Sequence, residues 1–153
     1  MRPKTRMILS SLLLAFVPVA CDDDDPVDPG NGDDGPFDLV FAGDATFQAP
    51  HGGQDISIAL VDSDGNVLET MTGVVSADDD PTFSFTFDDA LEDGESYEVH
   101  YWIDSNFEGG TEGECDAPPD DHMWNIAINN VSADVDRTEI HDATALEDVC
   151  SSF

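Results

Sequence analysis

The chain has almost no positive charge beyond its first 20 residues. Lys and Arg together number 4, against 35 Asp and Glu, and Arg2, Lys4 and Arg6 account for three of the four. Arg137 is the one basic side chain beyond residue 20, so the formal charge of that part is −34. Binding to nucleic acid phosphates requires cationic side chains. The composition therefore excludes nucleic acid as a direct partner.

A long hydrophobic run is also missing. The apolar stretch over residues 7–20 has 14 residues, whereas crossing a membrane as a helix takes about 20. It follows a basic start, which is typical of an export signal. Its end, Ala20-Cys21, resembles the lipobox of bacterial lipoproteins, and that resemblance implies a lipid on the thiol of Cys21. The alternative is ordinary cleavage near Ala20 that leaves Cys21 free.

Cysteine is scarce, with only Cys21, Cys115 and Cys150. Three thiols in an exported protein leave one unpaired unless one has another use. If Cys21 carries a lipid, Cys115 and Cys150 are expected to form a disulfide in an oxidising compartment. Two reduced, buried cysteines are the alternative. A zinc site usually needs four closely spaced ligands, more than two cysteines supply.

Composition divides the chain into three parts. Residues 1–20 are the predicted signal peptide. Residues 21–36 comprise the lipidated cysteine and a segment dense in Asp, Pro and Gly, which cannot bury enough apolar surface to fold and is predicted to be a disordered acidic tether. Residues 37–153 have the length of one domain.

Apolar residues in the last part alternate with a period of two, as they do in strands with one buried face. The sets are Leu39, Phe41, Gly43, Ala45 and Phe47; Ile56, Ile58 and Leu60; Phe83, Phe85 and Phe87; Tyr97, Val99, Tyr101 and Ile103; and Trp124, Ile126 and Ile128. Several short strands of this kind predict an all-β domain, an antiparallel Ig-like or Greek-key β-sandwich.

Turn residues lie where this architecture needs them. The Asp-Gly element in residues 62–66 predicts a hairpin. Residues 91–97, ending in Tyr97, resemble the tyrosine corner of Greek-key sandwiches, which implies a hydrogen bond between the Tyr97 hydroxyl and the preceding turn. Residues 144–149 are expected to form a short terminal helix next to Cys150.

The most informative local stretch is an acidic loop after the predicted strand that ends near Ile103. Oxygen-bearing residues at alternate positions followed by Gly are suited to a hard cation, and the order is similar to the start of an EF-hand calcium loop, although Cys115 stands at the twelfth position. The candidate calcium ligands are Asp104, Asn106, Glu108, Glu114, Asp116, Asp120 and Asp121. Two alternatives remain, namely a solvated acidic loop without a cation and a general adaptation to high salt.

The segment 101–124 contains Asp-x-Asn-x-x-Gly and then Asp-x-Pro-Pro-x-Asp-His-x-Trp. This pattern resembles one found in uncharacterised secreted and lipid-anchored bacterial β-domains. The resemblance covers about 24 residues and implies an ordered loop between two strands. It implies no activity.

An enzymatic function would have to use His100, His122 and His141, none of which has close ligand spacing to another. Known hydrolase motifs are also missing, so the protein is predicted not to be an enzyme. Trp102 could present a stacking surface to a glycan, whereas Trp124 is expected in the core. The sequence thus favours a lipid-anchored, non-catalytic binding or structural module of the bacterial cell envelope, facing the periplasm or the exterior. Calcium-dependent adhesion or ligand binding by the loop 104–121 is the alternative, and the protein or glycan partner stays open.

Overall fold

A computed structural model describes residues 36–153 of the chain. The predicted signal peptide, the lipidation residue Cys21 and the tether up to residue 35 lie outside the described residues. Seven strands are present in the described part: β1 (Phe37–Gly43), β2 (Asp55–Asp62), β3 (Val67–Val74), β4 (Phe83–Leu91), β5 (Tyr97–Ile103), β6 (His122–Ile128) and β7 (Val135–Glu139). No helix in the described segment is both long and apolar enough to cross a membrane.

The strands form two sheets with the orders β4-β1-β7 and β3-β2-β5-β6. This confirms the predicted all-β sandwich. All neighbouring strands are antiparallel except β1 and β7, which are parallel, with Phe41 opposite Arg137. The parallel pair was not predicted. It arises because the chain passes from β6 in one sheet to β7 in the other, and a connection between sheets does not impose the antiparallel direction of a hairpin.

The core lies between the sheets and follows the alternation in the sequence. In β4, Phe83, Phe85 and Phe87 are buried, while Ser84 and Thr86 between them are exposed. Burial of each such ring stabilises the fold by about 1.5–3 kcal/mol.

Two predicted turns are confirmed. Asp62 accepts hydrogen bonds from the backbone N–H groups of Asp64 and Asn66, and Gly65 has a positive φ of 82°, so β2 and β3 form the expected hairpin. The tyrosine corner is also present, because the backbone N–H of Glu92 donates to the Tyr97 hydroxyl at 3.0 Å. These contacts fix the connections at one end of the sandwich.

The alternation that begins at Leu39 does not continue as a strand to Phe47, and that part of the prediction is wrong. Strand β1 ends at Gly43, where a β-carbon would lie 2.3 Å from the Phe83 ring. Asp44 then caps a 3-10 turn, Ala45–Phe47, by accepting from the N–H of Thr46. A single helical turn, α1 (Gln48–His51), follows.

The C-terminal segment also differs from expectation. Residues 144–149 form no helix, and the regular element there is a 3-10 turn, Cys150–Ser152. The segment starts in a turn, and beyond it the backbone N–H of Glu147 donates to the carbonyl of Met123 while Val149 is buried against Met123, so β6 holds this part of the chain. The predicted disulfide is confirmed between Cys115 and Cys150, whose Cα atoms are 5.5 Å apart.

Strand β3 lies at an edge of its sheet and is largely exposed. It pairs only with β2, and six of its eight residues are exposed. Val67, Leu68 and Val74 are among them, whereas Glu69 is its single charged residue.

Candidate metal centre

Three histidines meet at one end of the sandwich. His51 ends α1, His122 begins β6, and His141 follows β7. Each element reaches this end for a separate reason: α1 follows the end of β1, β6 begins opposite the end of β5, and β7 runs parallel to β1. The topology therefore assembles residues that are 71 and 19 positions apart.

One ring nitrogen of each histidine points toward the same space. The distance from His51 Nε2 to His122 Nδ1 is 3.2 Å, and that from His122 Nδ1 to His141 Nε2 is 3.3 Å. All three nitrogens lie within 4.8 Å of one another, and they are the one such group of potential metal ligands among the residues described. In a tetrahedral zinc site with Zn–N bonds of about 2.0–2.1 Å, ligand nitrogens are about 3.3–3.4 Å apart. The two distances from His122 Nδ1 therefore match those between ligands of one bound ion.

Hydrogen bonding around His51 fixes which of its nitrogens is free. Its Nδ1 is 2.7 Å from the side-chain oxygen of Gln54, so Nδ1 carries the proton and donates it. The lone pair is then on Nε2, which faces the other two rings. Metal-bound histidines use the same arrangement, in which the second nitrogen donates to a fixed acceptor.

Hydrogen bonds alone cannot satisfy the three inward nitrogens when the rings are neutral. Because His51 Nε2 carries a lone pair, a proton on His122 Nδ1 can be donated fully to only one of its two neighbours, His51 or His141. If His122 Nδ1 instead accepts a proton from His141, it faces the lone pair of His51. A metal ion accepts all three lone pairs at once.

The surroundings keep the three rings uncharged. Burial, reinforced by the neighbouring histidines, lowers the pKa of His51 from 6.5 to about 4 despite its bond to Gln54. Burial is also the largest cause that lowers the pKa of His122 and of His141, although Asp121 and Asp142 oppose it. Neutral imidazole is the form that binds metal.

Aromatic side chains enclose the cluster on its inner side. Phe47 is fully buried against His51 and His141, and Trp124 packs edge-on to all three histidines. The indole N–H of Trp124 donates to the carbonyl of Asp142 at 2.9 Å, which holds the segment carrying His141. A dry, fixed shell of this kind orients metal ligands.

The predicted calcium ligands are placed differently. The carboxylate of Asp121 is fully buried and accepts from the backbone N–H groups of Ser105, Asn106 and Asp116. Asp104 accepts from Gly113 and from the Asn106 side chain.

The carboxylates of that set do not come together as one group of potential ligands in the described residues. The carboxylate of Asp116 accepts from the N–H of Thr111. Glu108 and Glu114 are exposed, and Asp120 contributes its backbone carbonyl to Phe107. The described loop is thus organised largely by carboxylates that bind its own backbone.

Two other residues singled out in the sequence lie on the outer face of the four-stranded sheet. His100 is held by the Ser152 hydroxyl at 2.7 Å and by Glu98 at 3.0 Å, away from the other histidines. Trp102 is only 7% exposed and packs with Met123 and Val149. Trp124 lies in the core, as predicted.

Sequence reasoning named His122 and His141 but missed His51. No spacing rule joins the three, because each comes from a different connection. The available signal was topological: in a sandwich, the residues that follow β1, precede β6 and follow β7 can share one end. The chain is thus an all-β sandwich with a three-histidine cluster at that end.

Comparisons add a partial likeness in fold. No family model and no curated protein matches the sequence. One similar solved structure is a DUF1812 protein of Bacteroides thetaiotaomicron described as a candidate polysaccharide-binding protein, at 10% identity and a TM-score of 0.40. Another is a fimbrial assembly protein of Parabacteroides distasonis, at 9% identity and a TM-score of 0.38.

Each comparison covers 68% of this chain, and 45% and 51% of the matched chains. The chain therefore spans about half the length of these structures. At such identities and scores, the likeness carries no functional information.

Proposed function

We propose that the protein is a lipid-anchored module of the bacterial cell envelope that binds a divalent transition-metal ion through His51, His122 and His141. The export signal and Cys21 support the anchor. The convergence of three imidazole nitrogens at 3.2 and 3.3 Å carries the metal-binding part of the proposal. Imidazole donors suit zinc, copper and nickel, whereas calcium and magnesium prefer oxygen.

The residues around the cluster favour metal binding without catalysis. A hydrolytic metal site would need a general base near the open side of the ion. Asp121 precedes His122, but its carboxylate is buried and occupied by three backbone N–H groups. Asp142 follows His141 and accepts from the backbone and hydroxyl of Thr144. Both neighbours support the fold of their loops.

The test is calorimetric titration of Zn²⁺ into the segment 36–153 after removal of bound metal with a chelator. This segment contains both sheets, the core and the disulfide. We expect one ion per chain. Zinc at about 100 times its dissociation constant should stabilise the fold by about 2.7 kcal/mol.

Variants distinguish zinc binding by the histidine cluster from zinc binding by the acidic surface. His122→Ala and His141→Ala should each lower zinc affinity by roughly 100-fold or more, because loss of a ligand exceeds the 10–100-fold effect of losing an outer-shell partner. His100→Ala is the matched control, since this histidine lies outside the cluster and should leave affinity unchanged. Equal losses in all three variants, or binding of several ions with no preferred site, would contradict the proposal.

Calcium binding by the loop 104–121 is a second candidate, and one observation favours it. The side-chain oxygen of Asn106 is buried and has no hydrogen-bond partner in the described structure. A β-carbon at Gly110 would lie 2.5 Å from that oxygen and 2.9 Å from a carboxylate oxygen of Asp116, so both oxygens lie close to Gly110. Thermal unfolding in millimolar calcium and in EDTA, at equal ionic strength, tests it. A rise in the unfolding midpoint with calcium that is lost in Asp104→Asn would support the site, whereas a midpoint that responds to ionic strength alone would eliminate it.

A further inference from the structure

The histidine cluster is closed on one side and open on the other. His51 is fully buried, whereas His122 and His141 are partly exposed. An ion held by the three nitrogens would therefore have the buried His51 on one side and the partly exposed His122 and His141 on the other. Three protein ligands leave a fourth position of a tetrahedral ion for an outside donor.

Side chains near the cluster are committed elsewhere. The oxygen of Gln54 binds the outer nitrogen of His51, and the Ser105 hydroxyl donates to the carbonyl of Ile103. The carboxylates of Asp121 and Asp142 hold backbone groups of their own loops. The described part of the chain thus offers three inward donors and places no fourth beside them.

An exposed aromatic ring lies beside the cluster. Phe107 is 48% exposed, although it is a large apolar residue. Its ring centroid lies 4.8 Å from that of His122 and 5.6 Å from that of His51. A flat ligand that reaches the ion would therefore also contact the Phe107 ring, and aromatic pairs at such distances are favourable.

Electrostatics select the charge of the ligand. The formal charge of −34 beyond residue 20 repels anions from the surface before they reach the ion. A neutral donor avoids this repulsion, and a positively charged carrier would be attracted.

We propose that the open position beside Phe107 binds an imidazole donor, supplied by a histidine side chain on a positively charged partner. This inference rests on the metal site proposed above. It makes the ion a docking point, at which the partner completes the coordination and the acidic surface attracts the chain that carries the histidine.

The test uses the segment 36–153 loaded with Co²⁺, whose visible absorption reports the number and type of its ligands. Free imidazole, a lysine-rich peptide with one histidine, and the same peptide with that histidine replaced by alanine are titrated separately. Acetate serves as the anionic donor. We expect saturable spectral changes with imidazole and with the histidine peptide, the latter at least 10-fold tighter at low salt. The alanine peptide should leave the spectrum unchanged.

Phe107→Leu tests the contribution of the exposed ring, because leucine keeps an apolar side chain but removes the aromatic face. Measured at saturating Co²⁺, this variant should bind imidazole about 3-fold or more weakly, while acetate binding stays the same. Raising the salt concentration should weaken binding of the histidine peptide and strengthen binding of acetate. Salt screens both the attraction of the acidic surface for the peptide and its repulsion of acetate.

The outcomes separate this inference from the metal site itself. Failure to bind Co²⁺ at all would overturn the proposed function. If Co²⁺ binds tightly but millimolar imidazole leaves the spectrum unchanged, only the proposed binding of imidazole at the open position would be overturned. Acetate that binds as tightly as imidazole would contradict the selection of a neutral donor, and an identical spectral change with the alanine peptide would contradict coordination by the partner's histidine.

Discussion

The disulfide offers a prediction whose size follows from the fold. Replacing Cys115 and Cys150 by Ser removes a link between residues 35 positions apart. Closure of a loop of this length restricts the unfolded chain by about 4 kcal/mol at 25 °C. For a domain of roughly 120 residues, such a loss lowers the midpoint of thermal unfolding by roughly 15 °C. Urea unfolding followed by circular dichroism measures the free energy directly.

Strand pairing limits how far this change reaches. His122 is held by β5 through its pairing with Ile103, and that contact does not involve the disulfide. Zinc affinity of the double variant should therefore stay within a few-fold of the parent protein. The parent protein under reducing conditions is the control and should match the variant. A loss below about 1 kcal/mol would refute the reasoning, since it would mean that the link restricts the folded and unfolded chains alike.

Three further predictions concern single groups. With metal removed and salt high, the free energy of unfolding should fall as pH drops from 6.5 toward 4, and His51 should contribute at most about 3 kcal/mol of this fall, because the unfolded chain protonates at His51 before the folded one does. His51→Gln should flatten this part of the urea-derived stability curve, and a curve of unchanged slope would contradict the assignment. Asp121→Ala should lower the free energy of unfolding by about 3 kcal/mol or more, since three backbone N–H groups lose a charged acceptor. Chemical denaturation measures this loss, and the exposed Glu108→Ala is the control, which should leave the free energy of unfolding nearly unchanged. Tyr97→Phe should cost about 1 kcal/mol through the lost bond to Glu92, and an unchanged midpoint would mean that the corner adds no stability.

Local patterns in the sequence predicted much of the fold. The period of two in β4 placed its Phe residues correctly, because a strand with one buried face needs that alternation. The corner at Tyr97 and the hairpin at Gly65 also depend on neighbouring residues alone. Prediction failed where distant contacts decide: at the end of β1 the carbonyls of Gly43 and Asp44 accept from the Thr82 hydroxyl, and the segment before Cys150 is held by the carbonyl of Met123 without forming a helix.

The candidate site was less accessible from the sequence. The acidic loop looked like a cation site because the sequence lists carboxylates but not what they bind. In the structure, Asp121 satisfies three backbone donors, which no residue pattern reveals. The histidine cluster depends on the order of the strands in the sheets, and that order could not be read from alternation. The sequence around His51 in particular contains no ligand spacing or known motif that would mark this histidine as a metal ligand.

The exposed edge strand β3 has a consequence for how the protein behaves at high concentration. An edge strand with free backbone groups can pair with the same strand of another molecule, and proteins often block this with lysine, proline or a bulge. Strand β3 has neither lysine nor proline, its register shift against β2 lies only at the hairpin end, between Leu60 and Val61, and three of its apolar residues face solvent. Mutual repulsion between highly acidic molecules keeps such edges apart as long as the carboxylates are ionised. In concentrated protein solutions, acidification or high salt should therefore favour self-association through β3.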